Sequence, residues 1–170
     1  MISATSASAD TATGAPLHSG APVVLDTPSA RRIVFDTNVL LSMYVFADSR
    51  YACFRDKVDQ GHWLALTSEA CLAEFKRVLG YPMFALDATS QLRAFDAYAA
   101  RSLQIAPGSG LRIALPACAD RDDQKFLELA RDGKADWLVS SDKALLRLAR
   151  RDKLRGLFRI LTPEVALTAG

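Results

Sequence analysis

The chain has 170 residues, half of them hydrophobic, with 21 basic and 19 acidic side chains and a formal net charge of +2. This composition excludes collagen-like, disulfide-rich and wholly disordered proteins, and it suits one folded domain of roughly 140 residues. The near balance of charge neither requires nor excludes a polyanionic partner, so the placement of charges matters more than their sum.

Met1 to Ala30 is rich in Ala, Ser, Thr, Gly and Pro, without the basic start and apolar stretch of a signal peptide. It reads as a disordered leader before a folded domain over 31–170. Arg31 to Asp36 is a short apolar run bounded by Thr37-Asn38 and predicts a buried strand. Helices are expected over about Val39 to Phe46 and Ser49 to Gln60, the second stopped by Gly61. His62 to Leu66 reads as a second strand. Thr67 or Ser68 then caps a helix through Leu79, closed by Gly80 and Pro82. Leu86 to about Ile105 predicts a further helix, with Leu92, Phe95, Ala99 and Leu103 along one face. After a Pro-Gly-Ser-Gly loop, Leu111 to Leu115 is a weak strand candidate. Asp120 begins a helix that ends at Gly133. Asp136 to Val139 is a strand, Ser140-Ser141-Asp142 opens a helix to about Arg151, and Leu157 to Leu161 is a last strand. Thr162-Pro163-Glu164 supplies an N-cap, a proline at the first helical position and an acid in the first turn.

Strands alternating with helices predict an α/β fold with a parallel sheet covered on both faces. No apolar run approaches the roughly 20 residues of a membrane span, and a cytoplasmic location is expected. Cys53, Cys71 and Cys118 are odd in number and far apart. With only His18 and His62 to join them, they argue against a zinc site or a disulfide framework and for small core residues.

In open parallel sheets, ligands bind beyond the C-terminal ends of the strands. Asp36 ends the first strand, and Asp142 follows the strand that ends at Val139. Asp123 shares a helical face with Phe126, Leu127 and Ala130, so it points toward the sheet. Glu74 borders the apolar stripe of Cys71, Leu72, Phe75, Val78 and Leu79. Each acid has a local alternative. Asp36 and Asp142 can cap the helices that follow them, Asp120 and Asp123 can form a capping box, and Glu74 can reach to solvent. Taken together, four carboxylates on one rim repel one another unless a cation joins them, and oxygen-only ligands favour Mg²⁺ or Mn²⁺ over zinc. Asp136 starts its strand and belongs at the opposite edge.

At these residues the sequence resembles the PIN-domain family, and within it the bacterial PIN-type toxins of toxin–antitoxin pairs. The resemblance lies in VFDTNVLLS (Val34 to Ser42), SEACLAEFKRVL (Ser68 to Leu79), DRDDQKFLELARDGKADWLVSSD (Asp120 to Asp142) and ILTPE (Ile160 to Glu164). It implies a three-layer α/β/α sandwich and an Mg²⁺- or Mn²⁺-dependent endoribonuclease. The family's acidic metal-ligand positions fall on Asp36, Glu74, Asp123 and Asp142; the ion would bind Asp36, Asp123 and Asp142, Glu74 would hold or orient metal-bound water, and Asn38, Ser140 and Asp120 would support them. It also implies a cognate antitoxin and a homodimer. One departure is visible: the family's Thr-Gly-Asp before the last acid is here Ser140-Ser141-Asp142.

The chemistry implied is metal-assisted phosphodiester hydrolysis, with no protein nucleophile. From Lys143 to Arg159 there are seven basic residues and one acid. Among these, Lys143, Arg147, Arg150 and Arg151 are candidates for contact with RNA phosphates, or else form a solvated helix face. The competing functions are a catalytically silent module that binds RNA or protein and an aspartyl-phosphate enzyme using Asp36. The latter expects a second acid two residues on, where Asn38 stands. A receiver-like signalling domain would need paired acids beside a mid-chain phosphoacceptor, which the sequence lacks.

Overall fold

The computed structural model describes residues 30–46, 48–109 and 113–169. The expected leader, apart from Ala30, lies outside them. Five strands form one sheet: β1 (Arg31–Phe35), β2 (Trp63–Thr67), β3 (Ser102–Gln104), β4 (Trp137–Val139) and β5 (Arg159–Leu161). Their order is β3-β2-β1-β4-β5, and every pairing is parallel. Seven α-helices connect and flank them among the described residues: α1 (Thr37–Tyr44), α2 (Ala52–Asp59), α3 (Glu69–Leu79), α4 (Ala88–Ala99), α5 (Gln124–Asp132), α6 (Lys143–Leu148) and α7 (Pro163–Ala169). The three-layer α/β/α sandwich expected from the sequence is the fold observed.

The period-two alternation of the strands divides the core. Ile33, Phe35, Trp63, Ala65, Trp137 and Val139 face one layer, where they meet α1, α2, α4 and α7. Phe54 of α2 lies 5.0 Å from Trp63, and Trp63 packs edge-on against Trp137 at 5.8 Å. Val34, Leu64, Leu66, Leu138 and Ile160 face the other layer, where α5 and α6 supply Phe126, Leu127, Leu129, Ala130, Leu145 and Leu148. Because both faces are covered, the strands read as nearly continuous apolar runs. No helix among the described residues is long and apolar enough to cross a membrane.

Several boundaries differ from the sequence reading. The segment expected as one helix over 86–105 is α4 followed by strand β3. Arg101 turns back onto the Tyr98 carbonyl, and Ser102, Leu103 and Gln104 then pair with Ala65, Leu66 and Thr67. Three residues are too few to show strand alternation, and neither Gly nor Pro separates them from the helix. The buried face of α4 carries Ala94 and Tyr98, while Leu92 is exposed. Residues 49–51 form a 3₁₀ turn before α2. Gly61 follows that helix with φ of 73°, the left-handed conformation its absent Cβ permits. Of the weak strand candidate, residues 111 and 112 lie outside the described residues, and 113–115 are not in a strand. α5 starts at Gln124 rather than Asp120, α6 ends at Leu148 rather than near Arg151, and β5 is confined to Arg159–Leu161.

α5 lies close to the sheet at its C-terminal end. A Cβ on Gly133 would stand 2.7 Å from the Leu66 side chain and 3.0 Å from the Leu129 carbonyl oxygen. The left-handed residue that ends this helix is Lys134, φ 49°, one position later.

Candidate active site

From β1 the chain moves outward to β2 and β3, and from β4 it moves the other way to β5. The sheet therefore reverses its winding between β1 and β4, which opens a crevice at their C-terminal ends. Asp36 and Ser140 are the residues that immediately follow these two strands. Backbone bonds hold them together: the Asp36 amide donates to the Val139 carbonyl, and the Ser140 amide to Leu161.

Asp36 is 3 % exposed. Its Oδ1 accepts from the Val39 amide at 2.9 Å and so caps α1. Its Oδ2 accepts a short hydrogen bond from the Ser140 hydroxyl. Ser140 is fully buried, and its oxygen also accepts from the Asp142 amide at 2.9 Å. With that amide donating to it, the hydroxyl hydrogen is left for Asp36. Burial raises the Asp36 pKa. Ser140 and the amides of Val39 and Ser141 oppose the rise, and the charge of Asp142 adds to it.

Asp142 caps α6 through Oδ1, which accepts from Ala144 at 2.6 Å and Leu145 at 3.1 Å. The capping alternative thus holds for one oxygen of Asp36 and one of Asp142. It does not hold for Asp123. That residue occupies the N-cap position of α5 in a helical conformation, with no hydrogen bond from its side chain. Its pKa is pushed up to about 6, first by burial, then by Asp142 and Asp120; Lys125 opposes the rise, and Asp36 adds to it. Asp120 does not cap α5, because the helix begins four residues later. It is exposed, and its Oδ1 accepts from the Asp122 amide at 2.9 Å within a local turn.

Glu74 reaches the rim from α3. Its Oε1 accepts from the Thr37 hydroxyl at 2.6 Å, and its Oε2 forms an ion pair with Lys125. Asp123 therefore lies within electrostatic reach of Asp36, Asp120 and Asp142, and Asp36 within reach of Asp142, while Glu74 pairs with Lys125, whose charge also reaches Asp123. Asn38 is not drawn in: it is exposed, and its carbonyl accepts from Ser42. Asp136 sits at the opposite edge, as expected, accepting from the Arg32 amide at 2.8 Å. Cys71 and Cys118 are buried and Cys53 is half-buried, in keeping with a core role.

The site partners that sequence reasoning did not find are Thr37 and Lys125. Thr37 follows Asp36 directly, but nothing local in the sequence connects its hydroxyl to Glu74 on α3. Lys125 stands two residues after Asp123, inside an acidic run that drew notice only for its acids.

The donor set is all oxygen, and one carboxylate, Asp123, has a pKa raised first by burial and then by neighbouring carboxylates and no side-chain hydrogen-bond partner among the described residues, which is donor chemistry suited to a hard divalent cation. Among the described residues, however, no three Asp, Glu, His or Cys side chains stand close enough to form a metal-holding group.

The four candidate RNA-contacting residues are all exposed. Lys143 begins α6 beside Asp142. It lines a groove of about 420 Å³ with Leu146, Arg147 and Arg150. Arg150 and Arg151 lie past the end of α6. With Arg155, Arg159 and Asp136 they border a second groove of about 690 Å³. This second groove runs along edge strand β5 from Arg159 to Leu161 and reaches Asp136, just before β4.

A family model described as PIN domain matches residues 32–144. The chain belongs to the PIN domain family. The matched span takes in Asp36, Glu74, Asp123, Ser140 and Asp142, and it ends just after α6 begins. PIN domains are usually nucleases and typically use divalent metal ions. This PIN domain matches no curated protein and no solved structure.

Proposed function

We propose that this PIN domain is a metal-dependent endoribonuclease and the toxin of a type II toxin–antitoxin pair. The observation that carries the nuclease reading is Asp123: a half-buried carboxylate with no side-chain hydrogen-bond partner among the described residues, held among Asp36, Asp120 and Asp142 at the sheet's switch point. Such a group is costly unless a cation meets it.

Asp36, Asp123 and Asp142 would hold Mg²⁺ or Mn²⁺. When bound, such an ion supplies Lewis acidity toward water and phosphate. The chain's own groups do the positioning. Helix caps fix the rotamers of Asp36 and Asp142, and the Ser140 hydroxyl ties the ends of β1 and β4 together. Glu74, held at both oxygens, orients the attacking water. Lys143 and Arg147 extend from the rim and take phosphates of a single strand, and Arg150 and Arg151 take phosphates further along. The preference for RNA, the antitoxin, the homodimer and the cytoplasmic setting rest on resemblance to PIN-type toxins.

A catalytically silent module that binds RNA or protein is the second reading. What favours it is that Asp36 and Asp142 already have local amide partners and no metal-holding group closes among the described residues.

The experiment is cleavage of labelled single-stranded RNA, beside DNA of the same sequence, with Mg²⁺, Mn²⁺ or EDTA. The nuclease reading expects RNA fragments with either ion and none with EDTA. It also expects Asp36→Asn or Asp123→Asn to slow cutting by about 100-fold or more, roughly 2.7 kcal/mol of transition-state stabilisation. RNA retained but uncut by the native protein would establish the silent module instead.

A further inference from the structure

The acidic rim has a cation built into its wall. Lys125 is the second residue of α5, and its ammonium pairs with Oε2 of Glu74, with both side chains largely buried at 19 % and 16 % exposed. Three further contacts fix it. The ammonium donates to the Asp122 carbonyl, it lies 5.0 Å from the centroid of the Phe126 ring, and Thr37 holds the other Glu74 oxygen at 2.6 Å. Its charge acts on Asp123 and on the Cys71 thiol as well. Both oxygens of Glu74 have a partner, while the Asp123 carboxylate accepts no hydrogen bond from any described residue.

The geometry points to Lys125 as the resident counter-ion of the site: it holds Glu74 outside the set of metal ligands and partly offsets the charge that draws a divalent cation in. This rests on the nuclease reading and gives the same site a built-in limit on metal affinity. Removing a positive charge a few ångströms from a cation site strengthens cation binding by Coulomb attraction alone. Removing it also frees Glu74 from its position. Lys125 thus makes cation binding weaker and catalysis faster. A residue with a merely structural role, when removed, would weaken both.

The test is calorimetric titration of Mn²⁺ into the full chain without RNA, with cleavage rates at saturating Mn²⁺ as a second readout. Lys125→Met keeps the aliphatic stem against Phe126. It is expected to bind Mn²⁺ about three- to tenfold more tightly than the native protein, as loss of one screened charge implies, and to cleave RNA at least about tenfold more slowly, a loss of ~1.4 kcal/mol in the barrier. Lys125→Arg, which keeps the charge, should stay within about twofold of native affinity. Equal or weaker binding by Lys125→Met overturns the inference and leaves the nuclease reading standing. Absence of Mn²⁺ binding by every protein overturns both.

The double variant Lys125→Met/Glu74→Gln keeps the rim's net charge and replaces a half-buried ion pair with a neutral one, so it folds even if the single variant does not. Affinity within about twofold of native is expected for it, since no ligand has been lost. Weakening beyond about fivefold would mean that Glu74 is itself a ligand, and the inference would fail.

Discussion

The Ser140 hydroxyl donates to Asp36 Oδ2 while its oxygen accepts from the Asp142 amide, so one fully buried side chain couples the ends of β1 and β4 and aligns two acids 106 positions apart in the chain. This also explains why Ser140-Ser141-Asp142 can stand where the PIN-domain family usually has Thr-Gly-Asp. The hydroxyl that matters is kept at Ser140. Ser141 does not adopt a positive φ, so no glycine is required there.

Replacing Ser140 with Ala removes a donor to a buried carboxylate. The expected loss of stability is about 1.5–3 kcal/mol at neutral pH, read from urea unfolding. Asp36→Asn, by contrast, keeps a good cap for α1 and should cost less than Asp36→Ala, which forfeits about 1 kcal/mol of capping. If Ser140→Ala proves as stable as the native protein, the bond between the two strand ends contributes nothing.

Asp123 makes the metal-free protein prefer acid. Its folded pKa of about 6 lies above the ordinary 3.8, so the folded state binds the proton more tightly than the unfolded chain. The resulting stability is fully present below pH 3.8 and is lost as pH rises through about 6. Asp36, also raised, acts in the same direction. In EDTA, the melting temperature should therefore fall between pH 5 and pH 7.5, and Asp123→Asn should flatten that fall. A melting temperature in EDTA that rises over this interval, and rises equally in Asp123→Asn, would contradict the charge crowding described here.

At the end of α5, two neighbours should respond in opposite ways. Gly133→Ala forces a methyl group against Leu66 and the Leu129 carbonyl, at a cost of about 1–3 kcal/mol. Lys134→Gly relieves a left-handed conformation at φ 49° and should be neutral or stabilising by up to about 1 kcal/mol. Chemical denaturation of both variants checks the pair.

The basic residues divide by the grooves they line. Lys143→Ala and Arg147→Ala should weaken binding of even a short single strand. Each is expected to reduce the slope of log affinity against log salt by about 0.7. Arg151→Ala, beside the second groove but not the first, should matter only for longer strands, and Arg150→Ala, which borders both, should have an intermediate effect. Equal effects of all four on a tetranucleotide would contradict the placement.

Sequence patterns revealed those elements whose local chemistry is self-sufficient. β2 and β4 are apolar but for the Thr67 that ends β2, β1 carries an apolar run after its two arginines, and the acids after β1 and β4 follow from chain position alone. β3 was hidden because its three residues become a strand only by pairing with β2. Asp120 looked like a helix cap, yet α5 starts later, and the residue at the cap position, Asp123, leaves its carboxylate uncapped. Lys125 escaped notice because its role depends on Glu74, about fifty residues earlier, and no local period connects the two.

The central claim is that Asp36, Asp123 and Asp142 share a divalent cation. Anomalous scattering from a crystal grown with Mn²⁺ tests it most directly. The account predicts a peak among these three carboxylates, with Glu74 still paired to Lys125, and its loss in Asp123→Asn. A crystal with no peak at the ends of β1 and β4, or one whose only Mn²⁺ lies elsewhere, would contradict it.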